Sequence, residues 1–177
     1  MQRMMVRSLM VLSAILVFGV VSGRSQAPAP KEPVNFKQLL PFVKIDLPGW
    51  EMVGEPEGRT VKSAPMMMSQ AKAEYKSGDK SLIVTVIDSS FGPMAAMGMG
   101  FMHKIEIEST EESTKTIEVQ GFQAVENYKY KDKEGQLTIM VDNRFIVTLE
   151  GQGIDDTQVL KDTAEKMELK KLAGLGQ

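Results

Sequence analysis

The amino-acid sequence predicts an α+β fold, in which an antiparallel sheet of about six strands has a C-terminal helix and a Met-rich helical segment packed on one face. Three observations predict it: short apolar segments with strand-like alternation, connections of only a few residues between them, and an amphipathic C-terminal segment. Short connections favour antiparallel neighbours, because parallel strands need a long crossover. With 42% apolar and 25% charged residues, the composition is that of a globular domain.

The beginning of the chain is typical of a secretory signal. Arg3 and Arg7 precede an apolar run over residues 9–21, and two small residues follow the run. The run is too short to cross a bilayer comfortably, because a membrane-spanning helix needs about 20 apolar residues. We therefore expect a signal peptide over residues 1–23, a periplasmic or secreted location, and no stable membrane span after cleavage. An uncleaved N-terminal anchor is the alternative.

The mature chain is expected to begin after Gly23. Cleavage after Ala27 is the alternative, and it is disfavoured because Pro28 would follow the cut. Residues 24–35 contain three prolines, each of which removes a backbone donor and fixes φ, so this stretch is predicted to be an extended tether. A single α+β domain is expected over residues 36–177.

Charge and cysteine content exclude several classes of function. The formal net charge is −2, and loss of Arg3 and Arg7 with the signal leaves 19 basic and 23 acidic residues. Nucleic acid is therefore not an expected partner of the mature chain. The chain has no cysteine, which excludes disulfides, thiolate metal sites, thiol nucleophiles and lipid attachment at an N-terminal cysteine.

The first half of the domain is predicted to contain a short helical segment, a turn and a β-hairpin. Residues 36–43 supply the helical segment, and Leu47–Trp50 is a Pro-Gly turn whose tryptophan is expected to fill the edge of the core. The hairpin is predicted over Met66–Lys76 and Lys80–Asp88. Its second strand is apolar on both faces, which predicts a central place in the sheet. These faces carry Leu82, Val84 and Val86 on one side and Ile83, Thr85 and Ile87 on the other.

Four strands at short spacing are predicted in the second half of the domain. They are Lys115–Val119, Ala124–Lys131, Gln136–Val141 and Arg144–Glu150. The pair at 142–143, Asp-Asn, tolerates positive φ and therefore suits a tight turn between the last two strands.

A C-terminal helix closes the predicted domain. It is expected to begin at Asp155, with Gln158 completing a capping-box-like arrangement, and to end at Gly174. Its apolar stripe consists of Val159, Leu160, Thr163, Ala164 and Met167.

Four short motifs carry a resemblance to known proteins: Leu-Pro-Gly-Trp at 47–50, Gly-Asp-Lys-Ser at 78–81, Gly-Phe-Gln-Ala at 121–124 and Arg-Phe-Ile-Val-Thr-Leu at 144–149. Because these motifs occur in this order, residues 36–175 resemble a family of uncharacterised exported bacterial domains. The order of sheet elements and closing helix is also similar to the PsbP and Mog1-like folds, which implies a compact antiparallel sheet covered by helices. The motifs are turn and packing residues, so the resemblance carries no catalytic residue over to this chain.

The residues of common enzymatic sites are mostly missing from the sequence. His103 is the only histidine, and no nucleophile elbow, phosphate-binding glycine loop or zinc-binding helix motif is present. A local group of acids follows the histidine and is interpreted as a solvated face or loop. We therefore expect no enzyme. The acids of this group are Glu106, Glu108, Glu111 and Glu112.

The most distinctive segment of the chain runs from Phe91 to His103 and is rich in methionine. Thioether and imidazole groups are ligands that suit Cu(I), so a copper site is one interpretation of this segment. The run Met66–Met68 would contribute if the segment packed against its strand. The candidate ligands are Met94, Met97, Met99, Met102 and His103.

The same segment is also interpretable as a packing or contact surface. Met94, Met97, Phe101 and Ile105 recur with helical spacing, and methionine fills irregular gaps in a core. The glycines at 98 and 100 weaken a helix by about 1 kcal/mol each, so the segment could also order against a partner. The residues expected to contact such a partner are Phe91, Met99, Phe101 and Met102.

Taken together, the sequence predicts a non-enzymatic binding or accessory module of the cell envelope. Its contact surface would be the Phe91–His103 segment or the sheet face beside it, and its partner a protein or a small apolar ligand. A periplasmic copper-binding protein is the alternative function. A hydrolase that uses His103 is a third hypothesis, from a different class.

Overall fold

The computed structural model describes residues 32–63, 66–89 and 104–177 of the chain. Within these residues lie three helices and nine strands. The helices are α1 (Phe36–Val43), α2 (Gln158–Lys166) and α3 (Leu169–Gly174). The strands are β1 (Glu51–Met52), β2 (Glu57–Ser63), β3 (Met66–Ser77), β4 (Lys80–Ser89), β5 (Glu106–Glu108), β6 (Glu112–Val119), β7 (Phe122–Lys129), β8 (Glu134–Val141) and β9 (Phe145–Gln152).

The nine strands form one antiparallel sheet. Its order is β1-β3-β4-β9-β8-β7-β6-β5, and β2 also pairs with β3. Consecutive strands from β6 to β9 are neighbours, as expected for strands joined by short turns. The predicted α+β class is therefore confirmed, but the sheet has nine strands where about six were expected.

The additional strands β1, β2 and β5 lie at the two sides of the sheet. β1 has two residues and β5 has three, and every residue of both is exposed. In β2 only Thr60 is partly buried. β1 is too short to show a pattern and β2 does not alternate apolar and polar residues, so the sequence could not reveal these two strands. Residues 105–108 do alternate, as Ile-Glu-Ile-Glu, but Ile105 was assigned to the helical spacing of the Met-rich segment and the acids to a solvated face or loop.

The main core lies on one face of the sheet, beneath the three helices. On β4, Leu82, Val84 and Val86 are buried in this core, whereas the alternate residues from Ile83 to Ile87 are half-buried on the opposite face. β4 lies between β3 and β9, which confirms its predicted central position. The C-terminal helices pack on one face of the sheet, as predicted for the C-terminal segment, since Leu160, Leu169 and Leu172 belong to this core.

Two tight turns contain residues with positive φ, and in both the residue types tolerate this conformation. Asp142 and Asn143, between β8 and β9, have φ values of 53° and 51°, as predicted for this pair. Gly78, between β3 and β4, has a φ of 58°, a conformation that glycine adopts without steric cost.

Helix α1 is held at both ends by polar groups. The Asn35 side chain accepts a hydrogen bond from the Lys37 amide at 3.0 Å, which satisfies one of the unpaired donors of the first turn. At the other end the buried Tyr75 hydroxyl donates to the Val43 carbonyl at 2.5 Å and accepts from the Ile45 amide at 2.8 Å. Burial raises the pKa of Tyr75, so the phenol remains a neutral donor.

The predicted C-terminal helix is divided into α2 and α3, which was not expected. Met167, between them, has extended backbone, although its side chain is buried in the core. The predicted capping by Asp155 and Gln158 is also wrong: the residue before α2 is Thr157, and its side chain makes no capping bond. None of the three helices in the described part of the chain has the length and apolar character that a membrane span requires.

Asp155 and Gln158 form other contacts instead. The Asp155 carboxylate lies 3.1 Å from Lys80 Nζ and 2.8 Å from Lys133 Nζ, at the end of the sheet. Gln158 donates its side-chain amide to Asp162 at 2.8 Å, one turn further along α2. In place of a capping box, the loop before α2 has these ion pairs, a backbone hydrogen bond from Ile154 to Lys133 and a hydrogen bond from the Gln158 backbone amide to the Asp156 carboxylate at 2.8 Å.

Candidate functional site

The residues proposed as copper ligands or as partner contacts lie outside the described residues. The β4 strand that precedes them ends at Ser89, which pairs with Met68 of β3. Within the described ranges, no group of three or more His, Asp or Glu side chains is arranged to hold a metal ion. The predicted site residues concerned are Phe91, Met94, Met97, Met99, Phe101, Met102 and His103.

The second predicted contact surface was the sheet face beside the Phe91–His103 segment, and that segment lies outside the described residues. The sheet face opposite the helices is within the described part of the chain. At one end of it, Met140 and Ile146 are only 5% and 8% exposed and pack with Ile87 and Val125. Around the exposed Gln136, at the other end, the surface is polar. The apolar end of this face therefore offers little exposed apolar surface to a partner.

A buried ion pair joins β4 to the start of β9. Asp88 is 1% exposed, and Arg144 donates to its two carboxylate oxygens from Nε and Nη2, both at 2.9 Å. The Val34 amide donates to the same carboxylate at 2.7 Å. Arg144 also donates to the carbonyls of Glu32 at 3.1 Å and Gly176 at 3.0 Å. Residues 32–35, the last part of the predicted tether, are thus bonded to the domain beside its C-terminus.

A second buried carboxylate joins α2 to the sheet. Glu126 on β7 lies 3.2 Å from Lys115 Nζ on β6 and 3.3 Å from Lys161 Nζ on α2. Burial opposes ionisation of Glu126, but the Thr157 hydroxyl and the two ammonium groups outweigh it and hold the pKa of this carboxyl below its usual range. The contact with Lys161 is electrostatic, because the enclosed Oε2 atom makes no well-formed hydrogen bond.

A cleft of about 590 Å³ lies between the Leu47–Trp50 turn and α2, and we call it the Trp50 cleft. Small-molecule sites occupy roughly 300–1,000 Å³. Trp50 and Val159 both pack partly against the main core and also line the cleft. With Leu47 and Pro48 they give it an apolar lining.

The turn places the indole because its sequence suits a type II β-turn. Pro48 and Gly49 occupy the two central positions, and Gly49 has the positive φ, 78°, that the third residue of such a turn requires. The Trp50 amide closes the turn by donating to the Leu47 carbonyl at 3.0 Å. Leu47 is buried, so the turn is fixed to the core and the indole stands at its edge.

The polar side of the Trp50 cleft is provided by α2. Asp162 and Glu165 are exposed, lie one turn apart and line the cleft with Lys166. Lys166 Nζ reaches the Asp46 carbonyl at 3.4 Å. Lys166 also lines a neighbouring groove of about 500 Å³ beside α1, so its side chain lies between the two concavities.

The sequence predicted Trp50 at the edge of the core, and the structure confirms this, since Trp50 is partly buried and packs against the main core. The sequence did not reveal the cleft, because the turn and α2 are more than a hundred residues apart in the chain and approach each other only in the fold. The signal that was available was the Pro-Gly turn, which exposes a large aromatic side chain at a fixed position.

Comparison with protein-family models, with curated proteins and with solved structures finds no match to this chain. The resemblance to exported bacterial domains and to the PsbP and Mog1-like folds therefore stays a prediction. Function has to be inferred from the geometry of the described residues.

Proposed function

We propose that the mature chain is an exported, non-enzymatic binding module of the cell envelope, and that its Trp50 cleft takes the apolar group of a small ligand. The observation that carries the proposal is the position of Trp50, which packs partly against the core and lines a cleft of ligand size. Export is expected from the signal-like residues 1–23.

The lining of the cleft favours binding of an alkyl or aromatic group. Leu47 is buried and Val159 is half-buried, so the floor of the cleft is continuous with the main core. The backbone that carries the indole is already fixed by the hydrogen bond that closes the turn, so ligand binding costs little backbone freedom there. Apolar area removed from water contributes roughly 25 cal/mol per Å², so an alkyl chain that packs on this lining supplies the main favourable contribution to binding.

The non-enzymatic part of the proposal is supported by the structural role of the two buried carboxylates. Asp88 and Glu126 are the carboxylates that the described fold shields from water, and a buried carboxylate that faces a cleft is a candidate for acid–base chemistry. Both are engaged in ion pairs that join structural elements. Neither belongs to the lining of the Trp50 cleft.

Fluorescence of the only tryptophan tests the proposal directly. We expect octyl glucoside, added below its micelle-forming concentration, to change Trp50 emission in a saturable way. Val159→Gln should weaken this binding, because it places a polar amide in the floor of the cleft. Val125→Gln makes the same change at a half-buried valine on the opposite face of the sheet and should leave binding intact.

Circular dichroism of both variants shows whether they are folded. Absence of a saturable change in the wild-type protein, or equal weakening by the two valine substitutions, would exclude the Trp50 cleft as the binding site. Binding only of a protein partner, with no response to octyl glucoside, would also contradict a small apolar ligand.

Copper binding is a second candidate function, and one observation favours it. Met68 pairs with Ser89, so the Met66–Met68 run lies beside the strand that leads to the predicted ligands. Cu(I) titration against a competing chelator tests it. Affinity tighter than micromolar, lost when Met94, Met97, Met99 and Met102 are changed to leucine, would support this function, and its absence would remove it.

A further inference from the structure

We propose that the ligand of the Trp50 cleft is an amphipathic cation, a small molecule with an alkyl chain and an ammonium head group. This inference rests on the proposed function and adds the charge of the ligand to it. It is carried by the residues that stand together at the polar side of the cleft: Asp162, Glu165 and Lys166.

The charges of this lining are unequal. Two carboxylates stand against one ammonium group, and the ammonium of Lys166 is directed to the Asp46 carbonyl at the boundary with the neighbouring groove. Asp162 accepts one hydrogen bond from Gln158, which holds its carboxylate on this side of α2. The side of the cleft formed by Asp162 and Glu165 is therefore acidic, and both side chains are exposed to an incoming ligand.

The indole of Trp50 adds a second attraction for a cation. A cation over the face of a tryptophan ring is attracted by the electron-rich π system, and tryptophan is the best of the aromatic side chains in this respect. An alkyl chain on Leu47 and Val159 would place an attached ammonium head group among the indole and the two carboxylates, since all of them line the same cleft. An anionic head group would meet two carboxylates and only one ammonium group, that of Lys166, which lies at the boundary with the neighbouring groove.

Three ligands with the same alkyl chain separate charge from apolar burial. Octyltrimethylammonium, octyl glucoside and octyl sulfate are titrated below their micelle-forming concentrations at low ionic strength, with Trp50 emission as the signal. We expect octyltrimethylammonium to bind about tenfold more tightly than octyl glucoside, because exposed ion pairs and cation–π contacts are individually weak but act together. Octyl sulfate should bind most weakly, and added salt should reduce the differences.

Two double variants identify the groups responsible. Asp162→Asn with Glu165→Gln removes the carboxylates of the cleft, and calorimetry should show the preference for the cation lost while octyl glucoside still binds. Glu111→Gln with Glu118→Gln removes the same charge from exposed positions on or beside β6 and should keep the preference.

The outcomes distinguish this inference from the proposed function. Equal affinity for the three octyl ligands, or equal loss of preference in the two double variants, would overturn the cationic ligand and leave an apolar cleft. No Trp50 response to any of the three would overturn both.

Discussion

The two buried carboxylates of the domain are neutralised in different ways. Asp88 receives two parallel hydrogen bonds from Arg144, whose side chain is only 17% exposed. Glu126 is balanced by Lys115 and Lys161, whose side chains are 48% and 30% exposed, and one of its oxygens lacks a well-formed hydrogen bond. Both oxygens of Asp88 therefore accept a hydrogen bond from Arg144, whereas Glu126 depends on two flexible lysine side chains that are partly exposed to solvent.

The Asp88 and Glu126 ion pairs also connect different parts of the fold. Arg144 and Asp88 join β4 and β9 to Glu32 and Gly176, near the two ends of the described domain. Glu126 joins the sheet to α2, which forms one side of the Trp50 cleft. The ion pair near the ends of the domain is therefore shielded from water, whereas the ion pair between the sheet and α2, which lines the Trp50 cleft, is partly open to water.

The largest predicted effect is the loss of the arginine. Arg144→Ala leaves Asp88 buried without its partner, which typically costs about 3–5 kcal/mol of unfolding free energy. Urea denaturation measures this loss. Arg59→Ala, at an exposed position on β2, should change stability by about 0.5 kcal/mol or less. A loss below about 1 kcal/mol for Arg144→Ala would show that the pair does not hold the ends of the domain.

A smaller effect is expected at the second carboxylate. Glu126→Gln keeps the size of the side chain and removes its charge, and the two partly exposed lysines can return to water. We expect a loss of about 1–2 kcal/mol in the same urea experiment. Glu118→Gln, an exposed position on β6, is the matched control. A loss as large as that for Arg144→Ala would contradict the contrast between the two pairs.

The pH dependence of the stability difference between wild type and Glu126→Gln should isolate the contribution of the Glu126 charge, because the other acids titrate in both proteins. The pKa of Glu126 in the folded protein lies below its ordinary value of 4.5, so the unfolded chain binds this proton more readily. The stabilisation is therefore fully present above pH 4.5 and disappears as the pH falls through the folded pKa. We expect the stability difference between wild type and Glu126→Gln to be constant from pH 7 to 5.5 and to shrink below pH 4.5. A difference that grows on acidification would reverse the sign of this shift.

The contrast between the central and lateral strands explains how much of the fold the sequence predicted. β4 and β9 are buried between neighbours, so their residues alternate or are apolar throughout, and their positions could be predicted. The exposed β2 has no such pattern, and the Ile-Glu-Ile-Glu alternation that leads into β5 covers only residues 105–108. The break at Met167 was also missed, because its buried side chain keeps the apolar spacing of a continuous helix while its backbone is extended.

The candidate site was harder to predict than the sheet. The alternation in β7 places Glu126 between the inward-facing Ala124 and Tyr128, so a buried carboxylate could have been inferred from the period of two. Its lysine partner on α2 could not, since that contact joins residues far apart in sequence. The Trp50 cleft depends in the same way on the approach of a turn and a helix, and hydrophobic periodicity carries no information about such an approach.

The smallest predicted effect concerns the C-terminal end of α2. The Gln120 side-chain amide donates to the carbonyls of Ala164 and Met167, both at 2.8 Å, and to that of Glu165 at 3.2 Å, which ties the last turn of α2 to the sheet. Gln120→Asn tolerates the positive φ of 51° at this position but shortens the side chain by one methylene, so that it no longer reaches.

Because water can bond to the released carbonyls, we expect a loss of only about 0.5–1 kcal/mol for Gln120→Asn. In Gln120→Asn, hydrogen exchange should become faster in α2 and stay unchanged in β4 and β9. The control Gln123→Asn, at an exposed position on β7, should change neither the stability nor the exchange rates. Faster exchange in all three elements would mean that α2 and the sheet open as one unit. The contrast between the two buried carboxylates would then have no consequence for the opening of α2 at the Trp50 cleft.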